Sequence, residues 1–340
     1  MMAFSVDAAN MQREYDAIKS GAGIRLIEDR LVIRVSGDDR VAFLHGMCSA
    51  DVKSLLPGKL TRALFLTEHA HVIADCFIYA LQEQVFWLEV ERPRWRFIRE
   101  HLERFLVADD VEMEELDTLG VLDIEGQASI DAVTGCFCET VRELEQWQHL
   151  KRDGFQIANL PRHGGPAFTV IAERTVLAAM AERMKRSFPE IRELNARTLE
   201  TIRVENGIAL IGTDTNERTL ALEARLEPAI AFNKGCYVGQ ETVERATARG
   251  ALKRRLYGLR FAAKEMPSLG ASIQLGDKEV GHLTSIALSP AAGIIGLAIL
   301  HHSAWAVGTS VSLTGDNGTV TGRVCELPFQ ERPPSGGVET

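Results

Sequence analysis

The chain changes character near Gly250, and this change limits its fold more than any other feature. Before that point, strand-like and helix-like patterns are mixed. After it, short β-like runs remain, at residues 255–259, 272–275, 294–299, 311–313 and 320–324, separated by Gly, Pro, Asp and Asn. Short strands at regular spacing with turn residues between them predict a small barrel or sandwich. In the first part, residues 31–35 alternate like a strand, and Gly37-Asp38-Asp39 opens a short helix with Val41, Leu44 and Cys48 on one face. Pro57-Gly58 marks a turn, and strand-like runs follow at 62–67, 72–81 and 85–90. Pro93 suits a first helical position, and Phe97, Ile98, His101, Leu102, Phe105 and Leu106 then recur at helical spacing. Strands are expected at 119–124 and 167–171, and helices at 126–133 and 173–187. The second of those helices turns Val176, Leu177, Met180 and Met184 inward. Asn195 caps a further helix that runs through Val204 and stops at Gly207. Without a regular βαβ repeat, the pattern favours an α+β fold over a doubly wound sheet.

The 340 residues suggest two or three domains, divided here as 1–250, a barrel at 251–330 and a tail at 331–340. The tail contains Pro333-Pro334-Ser335-Gly336-Gly337 and is expected to lack order. A net charge of -9 argues against broad nucleic-acid binding through bulk charge. No run of 18 apolar residues predicts a membrane span, and residues 1–20 carry Asp7, Glu14 and Asp16 where a signal peptide is apolar. Cytoplasmic residence is therefore expected. The six cysteines are scattered, and the close pair Cys136-Phe137-Cys138 lacks the two-residue gap of zinc and redox motifs, so no metal site held by this chain alone is expected.

One segment carries an unusual density of chemistry: Lys234-Gly235-Cys236-Tyr237-Val238-Gly239-Gln240-Glu241. Glycines let a backbone turn with positive φ or approach a ligand. A lysine two positions from a cysteine can favour the thiolate, as can a helix N-terminus, and residues 240–246 read as a short helix ending near Gly250. Cys236 and Lys234 are thus candidate catalytic residues. The structural alternative is a tight turn around a buried cysteine.

Preceded by Phe232-Asn233, this segment resembles the signature of the YgfZ-type folate-binding proteins. These are relatives of the glycine-cleavage T-protein (aminomethyltransferase), linked to iron–sulfur cluster maintenance. Further blocks, in order, are similar to the same superfamily. Val35-Ser36-Gly37-Asp38-Asp39-Arg40 leads into Phe43-Leu44-His45 and Ser49-Ala50-Asp51-Val52. Residues 57–67 precede His71-Val72-Ile73-Ala74-Asp75, and Ile202-Arg203-Val204-Glu205-Asn206-Gly207-Ile208 continues to Ile211-Gly212-Thr213-Asp214.

The resemblance implies a cloverleaf of α+β lobes, two of them intertwined in residues 1–250, around a central tetrahydrofolate pocket, with a C-terminal β-barrel. It implies that Asp75 faces the reactive nitrogens of the folate and that Arg203 receives its carboxylates or nearby polar groups. A carboxylate can exchange a proton with an amine, and a guanidinium is a planar partner for a carboxylate. Asp75 could instead end a turn, and Arg203 could form a surface ion pair with Glu205 or Asp214. Glu205, Gly235, Tyr237, Gly239 and Gln240 complete the expected cofactor-binding set. Aminomethyltransferases carry a pterin-contacting glutamate where this chain reads His163-Gly164-Gly165-Pro166-Ala167-Phe168, without a carboxylate. The function implied is a tetrahydrofolate-binding protein that supports assembly or repair of iron–sulfur enzymes, its partners, with Cys236 as the functional thiol. The alternatives are an aminomethyltransferase of glycine cleavage and a non-enzymatic scaffold with a vestigial folate pocket.

Overall fold

Two β-sheets packed face to face organise the first part of the chain. The computed structural model describes residues 2–248, 252–262, 266–315 and 318–329. From the N-terminus run α1 (Met2–Ser20), β1 (Gly23–Ile27), β2 (Arg30–Ser36), α2 (Arg40–Met47) and β3 (Leu60–Leu66). Then come β4 (Val72–Ala80), β5 (Phe86–Glu91), α3 (Arg92–Phe105), β6 (Glu112–Glu115), β7 (Leu119–Glu125) and α4 (Ser129–Cys136). β8 (Gln148–Arg152), β9 (Phe155–Asn159), β10 (Ala167–Glu173), α5 (Arg174–Ser187) and β11 (Arg192–Glu193) complete this part.

β3, β4, β5, β2 and β6 form one sheet in that order, and β11, β1, β7, β10, β9 and β8 form the other. On the first sheet, Ile33, Ala63, Phe65, Cys76, Ile78 and Leu88 pack with Leu44 of α2 and Ile98 and Leu102 of α3. On the second, Ile24, Leu122, Ile124, Phe168 and Val170 pack with Val133 of α4 and Leu177 and Met184 of α5. Strand side chains alternate between faces. The remaining faces therefore meet each other through Val32, Leu60, Phe77, Tyr79, Val121, Ala158 and Ile171. Val176, expected inward on α5, is 42% exposed, because one helical stripe suffices to cover the sheet and position 176 falls outside it.

The chain continues through α6 (Ala196–Glu205) and α7 (Gln240–Ala248). Six strands follow: β12 (Arg254–Phe261), β13 (Ser272–Leu275), β14 (Lys278–Ser289), β15 (Gly293–His301), β16 (Ser310–Gly315) and β17 (Gly318–Cys325). They close into a barrel in the order β12-β15-β14-β13-β16-β17, filled by Leu259, Ile273, Leu283, Ala298, Leu300, Leu313 and Val324. Closure removes the exposed sheet edges. The expected α+β fold with a C-terminal barrel is therefore present. Gly250 and the tail at 331–340 lie outside the described residues.

The chain divides into two compact units: Met1–Asn195 with Glu227–Glu244, and Ala196–Leu226 with Arg245–Thr340. Composition alone does not show that residues 196–226 group with the barrel.

Candidate functional site

The segment 227–244 is sewn onto the end of α2 and the start of β3. Ala231 N–H donates to Ser49 O (2.9 Å), and Val238 N–H donates to Gly46 O (3.1 Å). Lys234 is buried, and its ammonium donates to the carbonyls of His45, Cys48 and Ala50, the last two at 2.7 Å. An ammonium has three donors, and all three are engaged. Carbonyls at the end of a helix lack intrahelical partners, and a cation there is favoured by the helix dipole. Burial lowers the Lys234 pKa from its ordinary value. Lys234 is thus a clamp on the α2 terminus, and the expectation that it activates Cys236 by charge does not match its placement.

Cys236 itself is exposed, so the alternative of a buried structural cysteine does not hold. Tyr237 is buried, and burial pushes its hydroxyl pKa up to about 12. Gly235 has φ outside the left-handed region, and a Cβ there would sit 3.7 Å from His45 Nε2. Gly239 has φ +90°, and a Cβ would meet Thr67 O at 2.6 Å, so only glycine fits. Gln240 starts α7, where its Oε1 accepts from Tyr237 N–H (3.3 Å) and its Nε2 donates to Glu244 (2.6 Å).

Beside this segment lies a cavity of about 420 Å³, lined by Asp51, Ser54, Arg62, Trp147 and residues 228–231 among others. Arg62 on β3 donates to Asp75 Oδ2 on β4 through Nε (2.8 Å) and Nη2 (2.6 Å), and both residues are half-buried. Asp75 is therefore ion-paired rather than simply ending a turn. Nη1 of Arg62 has no hydrogen-bond partner among the described residues.

Arg203 is placed differently. On α6 of the second unit, it is buried and engages all five of its donors. Nε and Nη2 hold Glu200 at 2.8 and 2.6 Å, Nη1 holds Asp214 (2.7 Å) and Ile208 O, and Nη2 also reaches Ser285 Oγ (2.6 Å). Burial alone would lower its pKa, but Glu200 and Asp214 outweigh burial and raise it. The weighed ion pair with Asp214 is present, but it is buried instead of superficial. The Arg203 donors expected for folate carboxylates are occupied within the protein. Glu205 is buried too and accepts from Ser289 Oγ. Arg203 and Glu205 thus belong to the second unit, while Asp75, Lys234 and Cys236 belong to the first.

Sequence reasoning missed a polar network between the two sheets. Glu89 is fully buried and accepts from Arg30 (2.8 Å), Arg162 (2.8 Å) and Tyr79 (2.9 Å). Arg162 also donates to Asp123 (2.8 Å). Burial raises the Glu89 pKa, but Arg162 and Arg30 outweigh it, and the net shift is downward. His163 Nδ1 lies 2.7 Å from Glu125 Oε1, so β7 brings a carboxylate to a stretch that has none in its own sequence. Asp123 and Glu125, two residues apart on one strand face, were the available signal.

Known proteins match this architecture. A TM-score of 0.86 relates the chain to the crystal structure of glycine cleavage system aminomethyltransferase T from Bartonella henselae, at 20% identity over 94% of this chain and 90% of that one. The molecule is thus of the aminomethyltransferase-T fold class. Residues 4–163 match the GCVT N-terminal domain, and residues 254–330 match the glycine cleavage T-protein C-terminal barrel domain. The chain therefore carries both domains of the glycine-cleavage T-protein family. A chloroplastic protein of Arabidopsis thaliana, named no more specifically than a transferase, is 28% identical over 96% of this chain and 76% of its own. An aminomethyltransferase of Bacillus mycoides is 23% identical over 96% of this chain and 92% of its own. No helix among the described residues is long and apolar enough to cross a membrane.

Proposed function

We propose that this protein binds a reduced folate in the cavity of its first unit and supports the assembly or repair of iron–sulfur enzymes in the cytoplasm, with Cys236 as its functional thiol. The observation that carries the folate reading is Arg62 at the cavity wall, ion-paired behind it to Asp75. Asp75 is the residue for which a role beside the folate amines is expected. Arg62 keeps Nη1 available for a carboxylate, and Trp147 adds an aromatic surface to the same wall. The thiol reading draws on the exposure of Cys236 and on the resemblance of residues 232–241 to the YgfZ-type signature.

Calorimetric titration with tetrahydrofolate tests the pocket. The unmodified protein binds, and Arg62→Gln binds roughly tenfold to hundredfold more weakly, the effect of losing a charge-assisted hydrogen bond of about 1.5–3 kcal/mol. Failure of the unmodified protein to bind removes the folate reading and leaves the scaffold alternative. The iron–sulfur reading is tested by Cys236→Ser in cells lacking the native protein, and full rescue of a radical-type iron–sulfur enzyme would reject it.

A second reading, an aminomethyltransferase, is favoured by relatives bearing that name whose likeness spans 96% of the chain. Turnover with aminomethyl-loaded lipoyl carrier and tetrahydrofolate would place it first.

A further inference from the structure

The first unit holds a further cavity that shares no lining residue with the one assigned to folate. Its volume is about 360 Å³, and small-molecule pockets span roughly 300–1,000 Å³. One wall is α3, which contributes Phe97, Glu100, His101, Arg104 and Phe105 from a single helix face. The β3–β4 turn adds Glu68 and His69, and Ile73 and Val238 add apolar surface.

His101 belongs to the apolar stripe read from the sequence, and it is 5% exposed. Phe65 and Phe105 hold its ring edge-on, with centroids at 6.4 and 5.5 Å. Neither ring nitrogen makes a hydrogen bond among the described residues, and Nε2 is also sealed from solvent. A buried polar side chain without a partner is costly and calls for a reason. Nδ1 is the nitrogen left to meet the cavity. Burial, and then Arg104, lower the pKa of the ring, which is therefore neutral at pH 7.

The charged side chains beside it are unsatisfied as well. Glu68, Glu100 and Arg104 are exposed, and none forms an ion pair or hydrogen bond with another described residue. His69 touches only the ring of His71, at 6.2 Å between centroids. The same helix shows that this is not a matter of spacing. Arg99 and Glu103, four residues apart, are joined at 2.7 Å. Glu100 and Arg104 have the same spacing with the glutamate first, the more favourable order, yet they stay apart at the cavity wall.

We propose that this cavity binds a zwitterionic amino acid with an apolar side chain. Two unpaired carboxylates call for a cation, and an unpaired guanidinium calls for an anion. Glu100 and Arg104 are neighbours on one helix face, so the ligand must carry both charges close together, as an α-ammonium and α-carboxylate do. The ammonium pairs with Glu100 and Glu68. The carboxylate accepts from Arg104 and from His101 Nδ1–H, since a sealed Nε2 is better left as an unmet acceptor than as an unmet donor. Phe97, Phe105, Ile73 and Val238 receive the apolar side chain.

The experiment is calorimetric titration of the full-length protein with three ligands that share a phenyl body. They are L-phenylalanine, phenethylamine, which lacks the carboxylate, and 3-phenylpropionate, which lacks the ammonium. No folate is present, so the outcome is separate from that of the folate titration. Phenylalanine is expected to bind with a Kd of about 1 mM or tighter, and each truncated ligand about tenfold more weakly. Arg104→Gln weakens phenylalanine about tenfold and leaves phenethylamine unchanged. His101→Leu also weakens phenylalanine, and its urea midpoint does not fall, because the unpartnered polar group is gone. The proposal is overturned if phenylalanine shows no saturable binding, if phenethylamine binds as well as phenylalanine, or if Arg104→Gln binds phenylalanine unchanged. Should His101→Leu fail to fold, the exposed Arg104→Gln decides.

Discussion

Arg203 in the second unit and Arg62 in the first both sit against an aspartate, Asp214 and Asp75 respectively. Their surroundings separate them. Arg203 is buried with every donor held by the protein, and Asp214 accepts three bonds besides that of Arg203, from Leu210 N–H, Thr284 Oγ1 and Ser285 Oγ. Arg62 is half-buried, lines a cavity and leaves Nη1 unengaged. An arginine facing a carboxylate is thus no guide to ligand binding. The count of occupied donors is. Lys234 falls on the side of Arg203, for its three donors close the end of α2.

The largest test removes the fully engaged cation. Arg203→Ala leaves Asp214 and Glu200 without their cation and is expected to lower unfolding stability by about 3–5 kcal/mol in urea titration. A loss under ~1 kcal/mol, with folate affinity falling instead, would break the contrast. A neutral donor extends it. His149 is buried, with Nε2 3.1 Å from Lys59 O and Nδ1 against Gln156, and burial lowers its pKa to about 4. Its unfolded value is near 6.5, so the unfolded chain binds the proton more readily. Its contribution to stability is complete above pH 6.5 and is lost as pH falls toward 4. That loss is about 2 kcal/mol by pH 5, measured as the difference between urea midpoints at pH 7 and 5, and His149→Gln flattens it. The smallest effect on stability belongs to Arg62→Gln. Its ion pair is partly exposed, and the cost is expected under ~1 kcal/mol even as folate binding weakens. A larger loss would make Arg62 a second Arg203.

Much of the fold was legible because it follows from periodicity. Residues 72–80 and 92–105 combine clear strand or helix spacing with a proline or turn at the boundary, and they form β4 and α3. β14 escaped notice although it is the longest barrel strand. Lys278, Glu279 and His282 fall on exposed positions and Gly281 interrupts the run, so its apolar face is hard to see in sequence. Within the site, the choice of Asp214 as a partner for Arg203 was legible from nearby charges, but its depth was not. Burial there comes from Ser285 and Thr284 on β14, seventy or more positions away. The partners of Lys234 carry no residue signature at all, because they are backbone carbonyls. Glu89 and Asp123 read as ordinary strand carboxylates until Arg162 joins them across the sheets.

The division of the chain also orders its biosynthesis. The first unit is interrupted after Asn195 and resumes at Glu227. A ribosome must therefore make 196–226, which belong elsewhere, before the clamp on α2 can be supplied. Until Lys234 emerges, the carbonyls of His45, Cys48 and Ala50 lack its ammonium as a donor, and Ser49 lacks the carbonyl of Ala229 as acceptor. Synthesis proceeds at about 5–20 residues per second, so this nascent domain waits for seconds in an unfinished state. The thiol arrives on the same short segment that completes it, and no translation intermediate can present Cys236 without bringing its own lock.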